Sequence, residues 1–448
     1  MKTTFRTMLY GIAAAAFALA PKAHAFHSGG VAECEGCHTM HNTRSSGRAV
    51  PFANGVGQGA IYLLQGSDQS STCLNCHNSA DTAPSSYHIS TDDSMFTTSG
   101  SNANVADKAP VEMTPGGDFG WTKVSRTYVV RGSQVTTFGQ ARGHNIIASD
   151  YSYGPDTENG VAAPGGTYPA SALACSSCHD PHGKYRRLAD GTFVTSGLPT
   201  FASGSYQSSP SPIAGVSAVG AYRILGGAGY QPKSLTGNYQ FANGNPDAVV
   251  NSTYNRSEAS GQTHVAYGRG MSEWCANCHT AMLETGYVSG ADKHRHPAGS
   301  GAKLTAQIVQ NYNSYVSSGK LTNTDPTKAY STLAPFELGT GDYTVLKSLA
   351  VNTDTMDQSA TTSANVSCLS CHRAHASAFE FGTRFYLENE FMTIAGASNT
   401  GEYDANTASG TINAGLNVAE QTAAYYGRPA TAFGPQARNY CNKCHAKD

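Results

Sequence analysis

The stretch 34-CEGCHTMH-41 decides the fold of this chain. Cys34, Cys37 and His38 form a Cys-x-x-Cys-His unit, and His41 follows only three positions later. Two thiols at this spacing can add across the two vinyl groups of a porphyrin, while the adjacent imidazole binds the iron on one face. Positions i, i+3 and i+4 lie on one side of a helix. A single helical turn can therefore present all three groups to one haem.

All twelve cysteines of the chain belong to six copies of this unit. Disulfide bonds, zinc sites and a thioredoxin-like CxxC are the alternatives for exported cysteines. Six copies, each followed by histidine and with no cysteine left over, favour six covalently bound haem c groups instead. The attachment residues are Cys34, Cys37, Cys73, Cys76, Cys175, Cys178, Cys275, Cys278, Cys368, Cys371, Cys441 and Cys444, with proximal iron ligands His38, His77, His179, His279, His372 and His445.

The composition between these motifs predicts little regular structure. The chain has 448 residues, of which 48 are glycine and only 13% are charged, and few segments are periodic. We expect a multihaem cytochrome c fold, mostly irregular with few short helices and little strand, wrapped around a chain of six haems. The clearest periodic segments predict helices over 302–318 and 417–426 and a strand over 126–132. The net charge of −2 offers no basic surface for nucleic acid.

The N-terminus has the pattern of a signal peptide over residues 1–25. A positively charged start precedes an apolar run over 9–20, and the small-residue pattern AHA at 23–25 suits cleavage. This run is too short to cross a membrane as a helix, and the mature chain contains no longer one. We therefore expect an exported protein without a transmembrane segment, in which residues 26–448 form a single haem-stitched hexahaem domain.

Histidines outside the motifs are numerous enough to supply the sixth ligand of every iron. Nine remain in the mature chain, and for His264 and His294 we expect no ligand role. Methionine, the other common axial ligand, is then better interpreted as a packing residue. Seven distal candidates compete for six positions: His27, His41, His88, His144, His182, His296 and His375.

Three motifs continue to Cys-x-x-Cys-His-x-x-His, which adds His41, His182 and His375. The second imidazole cannot reach the far face of the haem that the first one holds, because three residues are too few to pass around a porphyrin. It must bind a different haem or none, so each such motif would clamp two haems together. His41 lies only sixteen residues into the mature chain, so its haem could belong to another subunit.

The segments FHSGGVAECEGCHTMHN, CSSCHDPHGKYRR, MSEWCANCH, CLSCHRAHAS and CNKCHAKD resemble the OmcS-type outer-surface hexahaem c-type cytochromes of metal-reducing bacteria. This resemblance covers almost the whole mature chain. It implies polymerisation of the protein with itself into conductive filaments with a continuous row of bis-histidine haems. It also implies that His41 binds the haem attached at Cys368 and Cys371 of the neighbouring subunit.

The same resemblance implies extracellular electron transfer on the outer surface of the cell. Electrons would come from other outer-membrane or periplasmic cytochromes and pass to extracellular acceptors such as metal oxides. An enzyme is the alternative class, since multihaem reductases keep one iron open for substrate, but the chain has no CxxCK motif and a surplus of histidines. A monomeric soluble electron shuttle is a third possibility, in which His41 would have no partner subunit.

The six motifs generate a prediction about haem content. All six should carry haem, because an empty motif would leave a reactive dithiol exposed to oxidants. The intact mass of the mature chain should show six covalent haem additions. Five or fewer additions would contradict the interpretation of every motif as a haem site.

Overall fold

The computed structural model describes eleven ranges of the chain, and short elements joined by long irregular connections fill them. The ranges are 34–39, 63–79, 87–93, 109–237, 239–251, 257–259, 264–283, 296–314, 329–351, 358–409 and 412–445. The signal-peptide segment 1–25 and the histidines His27, His41 and His294 lie outside them. No helix of the described residues is long and apolar enough to span a bilayer.

The α-helices of the described residues are at most nine residues long. They are α1 Cys34–Cys37, α2 Gln69–His77, α3 Cys175–Cys178, α4 Met271–Cys275, α5 Ala306–Ser314, α6 Tyr343–Leu349, α7 Cys368–Cys371 and α8 Val418–Ala424. Short 3-10 turns add Phe119–Lys123, Gly139–Arg142, Ser149–Tyr151, Ala170–Ala172, Tyr222–Ile224, Thr280–Leu283, Glu380–Gly382, Ala430–Ala432 and Tyr440–Lys443. Five of the eight α-helices contain cysteines of a CxxCH motif, so the motifs account for much of the helical structure.

The strands form small, separate sheets. They are β1 Asn78–Ser79, β2 Ser90–Thr91, β3 Arg126–Val130, β4 Ser133–Thr137, β5 Arg186–Arg187, β6 Phe193–Val194, β7 Val219–Gly220, β8 Asp247–Val250, β9 Val265–Arg269, β10 Ile394–Ala395 and β11 Gly401–Glu402. Strand β5 pairs antiparallel with both β6 and β7, and β3–β4, β8–β9 and β10–β11 are antiparallel pairs. Strands β1 and β2 pair in parallel. The expected fold class, mostly irregular with few short helices and little strand, is confirmed.

The elements predicted from periodicity are present, with shorter bounds. The helix expected over 302–318 is α5, and residues beyond Ser314 lie outside the described ranges. The helix expected over 417–426 is α8, whose N-cap Asn417 forms a capping box with Glu420. The strand over 126–132 is β3, which continues into β4 through a two-residue turn at Arg131 and Gly132, both with positive φ.

Buried apolar side chains form several small clusters among the described residues. The largest is rich in aromatic rings and includes Tyr312, Phe336, Phe385, Tyr425 and Phe433. A separate cluster packs helix α6 against the β8–β9 hairpin through Leu346, which is fully buried. The apolar side chains are thus divided among the spaces between motifs, and no single layer of sheet or helix organises the described part of the chain.

The packing of helix α6 gives a stability prediction with an internal control. Leu346→Ala should lower the free energy of unfolding of the haem-loaded protein by about 2–5 kcal/mol, because it leaves a cavity beneath the hairpin. Val345 is the neighbouring residue on the same helix and is 41% exposed. Val345→Ala should therefore change the stability by much less. Denaturant unfolding followed by circular dichroism measures both, and equal effects would contradict this packing.

Candidate haem-binding site

Each of the six CxxCH motifs lies on a helical turn. In five of them the backbone N–H of the histidine donates to the carbonyl oxygen of the first cysteine, four residues earlier. The N···O distances are 2.8 Å for His38, 3.0 Å for His179 and His279, and 2.9 Å for His372 and His445. The remaining histidine, His77, is the last residue of helix α2. This turn places both thiols and the imidazole on one side, as attachment of one haem requires.

The backbone also fixes which nitrogen of the proximal imidazole can bind iron. The Nδ1 atom of His77 lies 2.9 Å from the carbonyl oxygen of Tyr87, and that of His279 lies 2.8 Å from the carbonyl oxygen of Pro164. A carbonyl oxygen only accepts hydrogen bonds, so Nδ1 carries the proton and Nε2 keeps its lone pair. Such a bond orients a metal-binding histidine and raises its basicity.

The three CxxCHxxH motifs share one further arrangement around the proximal histidine. An isolated antiparallel bridge pairs His38 with Leu64, His179 with Leu225 and His372 with Thr383. Two backbone hydrogen bonds accompany each bridge. In the motif of His179, the third of the six, the N–H of Asp180 donates to the carbonyl oxygen of Ile224 at 2.7 Å and the N–H of Gly226 donates to that of Cys178 at 2.9 Å. The corresponding donors are Thr39 and Gln65 in the first motif and Arg373 and Arg384 in the fifth.

Each of these bridges is preceded by a non-glycine residue with left-handed backbone. The φ angles are 55° for Leu63, 51° for Arg223 and 58° for Phe381. The carbonyl oxygens of Arg223 and Phe381 accept from Nδ1 of His179 and His372, both at 2.7 Å. A left-handed residue costs roughly 1–2 kcal/mol, and here the turn aims a carbonyl at the imidazole. Sequence reasoning missed these residues, because nothing in their side chains indicates this backbone.

Several of the predicted distal histidines face a motif histidine. The ring centroids of His38 and His182 are 6.4 Å apart with planes only 6° from parallel. The centroids of His144 and His279 are 5.9 Å apart, and so are those of His296 and His445. Two imidazoles that bind one metal from opposite sides, with metal–nitrogen bonds of about 2.0–2.1 Å, have centroids roughly 6 Å apart. The separations therefore fit a haem iron between each pair.

Burial keeps the imidazoles of His375 and His144 neutral, which is the form that binds iron. Burial and the nearby His179 and His144 lower the pKa of His375 to about 3. Burial and the neighbouring His279 lower the pKa of His144 to about 4, although its Nδ1 bonds to the carbonyl oxygen of Ala374 at 2.7 Å. Both imidazoles are thus neutral at neutral pH, and a neutral imidazole is the iron ligand.

His88 and His264 occupy different surroundings. The ring of His88 packs on Tyr87, the residue whose carbonyl oxygen bonds to His77, with centroids 4.3 Å apart. His264, for which we expected a surface position without a ligand role, is instead buried and only 4% exposed. Its backbone N–H donates to the carbonyl oxygen of Val351, and its ring lies against Tyr330. The chain buries it because β9 begins at the next residue.

Cysteines of successive motifs lie near one another, in the order of the chain. Thiols of the second and third motifs, Cys73 and Cys175, are in hydrogen-bond contact, and so are Cys275 and Cys368 of the fourth and fifth. Burial and the nearby Cys76 raise the pKa of Cys37. In the same way burial and Cys278 raise the pKa of Cys178, and burial and Cys441 raise that of Cys371 to about 12. Each motif thus lies beside the next.

Two of these contacts are built identically. The hydroxyl of Ser70, three residues before Cys73, accepts from the N–H of Cys175 at 3.0 Å. The hydroxyl of Ser272, three residues before Cys275, accepts from the N–H of Cys368 at the same distance. The sequence contains the signal, since 70–77 and 272–279 both read S-x-x-C-x-N-C-H, and 175–182 and 368–375 both read C-x-S-C-H-x-x-H. The distances between motifs along the chain do not reveal this repeat of two motif pairs, because the matching residues lie within and just before the motifs.

The donors present fit haem c at every motif. Both thiols and the imidazole lie together on each helical turn, Nδ1 of the imidazole bonds to a backbone carbonyl oxygen in four of the motifs, and three pairs of imidazoles stand at the separation that an intervening iron needs. No group of three or more His, Cys, Asp or Glu side chains within the described ranges converges as a site for a metal ion.

Comparison with known proteins agrees with this geometry. No family model matches the chain. The chain is 57% identical to C-type cytochrome OmcS of Geobacter sulfurreducens over 451 residues, covering all of both proteins. It is also similar to two solved structures, the cryo-EM structure of the OmcS nanowires from Geobacter sulfurreducens and the Outer Membrane Cytochrome S filament from the same organism. Their TM-scores are 0.83 and 0.82, each with 56% identity and coverage of 94% of this chain and all of the other.

A row of CxxCH turns on a chain with so little regular structure defines a multihaem c-type cytochrome. The identity along the entire length is more specific than this class. The chain belongs to the family of C-type cytochrome OmcS. As a member of this family it is an electron-transfer protein that uses haem c.

The opposed histidines predict a change in spin state on mutation. His144→Ala should convert one haem per subunit from six-coordinate low-spin to high-spin iron, because the imidazole facing His279 is removed. Electron paramagnetic resonance of the oxidised protein measures this change, and added imidazole should reverse it. His264→Ala removes another buried imidazole, whose ring lies against Tyr330, and should leave all signals low-spin. A low-spin His144→Ala protein would show that this residue is no ligand.

Proposed function

We propose that the protein is a hexahaem subunit that polymerises into conductive filaments and carries electrons to extracellular acceptors. The observation that supports this most strongly is the proximity of successive motifs, because haems attached to them would form one row within the subunit. Electrons can then pass from each haem to its neighbour along the chain order of the motifs.

Four of the six irons receive their distal ligands within the subunit in this proposal. His182 completes the haem at His38, and His375 completes the haem at His179. His144 and His296 complete the haems at His279 and His445. Because His182 and His375 follow the proximal His179 and His372 by three residues, each of these motifs holds its own haem and ligates another one.

Two proximal histidines, His77 and His372, then need partners from the candidates His27, His41 and His88. His88 is close in sequence to His77 and packs on the residue that bonds to it, and His27 is its competitor for that position. We assign His41 to the haem at His372 of the adjacent subunit, following the OmcS-type resemblance of the N-terminal motif. Each subunit would thus complete a haem of its neighbour, and a monomeric shuttle would lack this ligand.

The cellular setting follows from the same family. We propose that residues 1–25 are a cleaved signal peptide and that 26–448 is one haem-stitched domain assembled at the outer surface of the cell. Other outer-membrane or periplasmic cytochromes would supply electrons, and metal oxides are the class of acceptor. The haem supplies one-electron chemistry at its iron. The residues of the chain hold it, orient its axial imidazoles and exclude water from them.

The role of His41 predicts a double loss on mutation. His41→Ala should shorten or abolish the filaments and remove the bis-histidine signature of one iron per subunit, because a coordinate bond disappears at every junction. Negative-stain microscopy and electron paramagnetic resonance measure the two effects.

His182→Ala is the matched control, since it is the equivalent residue of another CxxCHxxH motif. It should change one haem and leave the filaments comparatively intact, because its proposed partner lies in the same subunit. Normal filaments of His41→Ala with six low-spin haems per subunit would contradict the assignment and favour a different junction.

A further inference from the structure

A cluster of charged side chains is buried directly behind the fifth motif. Glu258, Arg373 and Arg384 are at most 3% exposed. The carboxylate oxygen Oε2 of Glu258 lies 2.8 Å from Nη1 of Arg373 and 3.1 Å from Nη1 of Arg384. The guanidinium of Arg428 joins them by donating to the backbone carbonyl oxygen of Glu258 at 2.9 Å. We name these four residues the arginine cluster.

The arginine cluster carries more positive than negative charge. Two guanidinium groups pair with the one carboxylate and a third bonds to its backbone, which leaves an excess of positive charge among these four residues. Burial opposes the ionisation of Glu258, but Arg384 and Arg373 outweigh it and lower the pKa of this carboxyl group. Among the described residues, Nε and Nη2 of Arg373 and Nη2 of Arg384 have no hydrogen-bond partner. Buried charges without compensation cost several kcal/mol each, so these N–H groups suit an additional anion.

The backbone bonds of the cluster place it against the haem attachment turn. Nε of Arg384 donates to the carbonyl oxygens of Leu369 at 2.7 Å and His372 at 3.2 Å. The backbone N–H of the same arginine donates to Cys371 at 2.7 Å. Arg373 directly follows the proximal His372 and stacks on Tyr426 with 3.7 Å between its guanidinium carbon and the ring centroid. The excess charge therefore belongs to one haem site.

The third motif, which repeats the backbone of the fifth, has the opposite charge at the equivalent positions. Asp180 follows His179 where Arg373 follows His372, and Gly226 occupies the position of Arg384 after the bridge. Asp180 is buried, and its carboxylate accepts from the backbone N–H groups of His182 at 3.2 Å and Lys184 at 2.9 Å. The residue after the proximal histidine is thus a buried carboxylate in the third motif and a buried guanidinium in the fifth, although Arg223 also places a positive charge near His179.

We propose that the arginine cluster raises the reduction potential of the haem that His372 would hold. Reduction adds one electron to the iron and takes it from Fe(III) to Fe(II). Nearby positive charge favours the reduced state, which has one positive charge less. The haem at His372 is then a more favourable electron acceptor than the haem at His179, although both have the same axial chemistry. This inference rests on the proposed haem at His372.

Two substitutions of the cluster should move the potential in opposite directions. Glu258→Gln removes the negative charge and should shift one of the six midpoints of the filament to more positive values. Arg384→Met removes a positive charge and should shift the same midpoint to more negative values. We expect about a tenfold change in the equilibrium constant for reduction in each case, which is about 59 mV for a one-electron couple. Redox titration followed by visible absorbance and electron paramagnetic resonance measures the midpoints.

Two further variants separate charge from disturbed packing. Arg384→Lys keeps the positive charge, so its midpoint potential should stay close to that of the unmodified protein. Asp247→Asn changes another buried carboxylate, on β8, that pairs with two other arginines, Arg187 and Arg269. It should not reproduce the shift of the midpoint that Glu258→Gln and Arg384→Met move. If Arg384→Met does not assemble into filaments, Arg373→Met removes another positive charge of the cluster and should also shift this midpoint to more negative values.

Opposite shifts of one midpoint in Glu258→Gln and Arg384→Met would support the proposal. Unchanged midpoints, or shifts in the same direction, in filaments that keep six low-spin haems would overturn it. An unmodified protein with fewer than six haems, or without low-spin signals, would instead contradict the proposed haem ligation. The two failures are therefore distinguishable.

Discussion

The hydrogen bond from Nδ1 of a proximal imidazole to a backbone carbonyl oxygen is the interaction on which the site depends. It fixes the tautomer, so Nε2 of His77, His179, His279 and His372 keeps its lone pair for iron. The acceptor carbonyl belongs to an irregular connection or a tight turn, and in two cases to a residue with left-handed backbone. The irregular connections of the chain are therefore part of the haem site, because they supply an acceptor in a direction that a helix or sheet cannot offer.

The second constraint is the short distance between the two histidines of a CxxCHxxH motif. Three residues cannot pass around a porphyrin, so the second imidazole must serve another haem or none. The geometry agrees with this argument, since His182 faces His38 and not the histidine of its own motif. Close packing of motifs follows from the same constraint. Ligation itself would thereby bring neighbouring haems near each other, without a continuous sheet or bundle to hold them.

Charge distinguishes sites that are otherwise built alike. The third and fifth motifs share the bridge, the left-handed turn and a serine, Ser177 or Ser370, whose hydroxyl accepts from the backbone N–H three residues earlier. They differ in the residues that follow the proximal histidine and the bridge, where one has Asp180 and the other has two arginines. Axial ligation sets a common range for the potentials of bis-histidine haems, and buried charge can separate them within that range. A repeated backbone can in this way carry haems of unequal potential.

The sequence by itself determined the chemistry of this protein. The CxxCH spacing identifies the haem attachment residues without a structure, because two thiols and an imidazole at this spacing share one side of a helical turn. The helix α8 and the strand β3 were also predictable, since their signals are local. Only the tertiary structure decided which distal imidazole faces which motif and in which order the motifs meet. These pairings join residues far apart in the chain, as with His296 and His445, and spacing carries no information about such contacts. The buried arginine cluster depended on the fold for the same reason, because Glu258 and Arg384 become neighbours only through long-range packing.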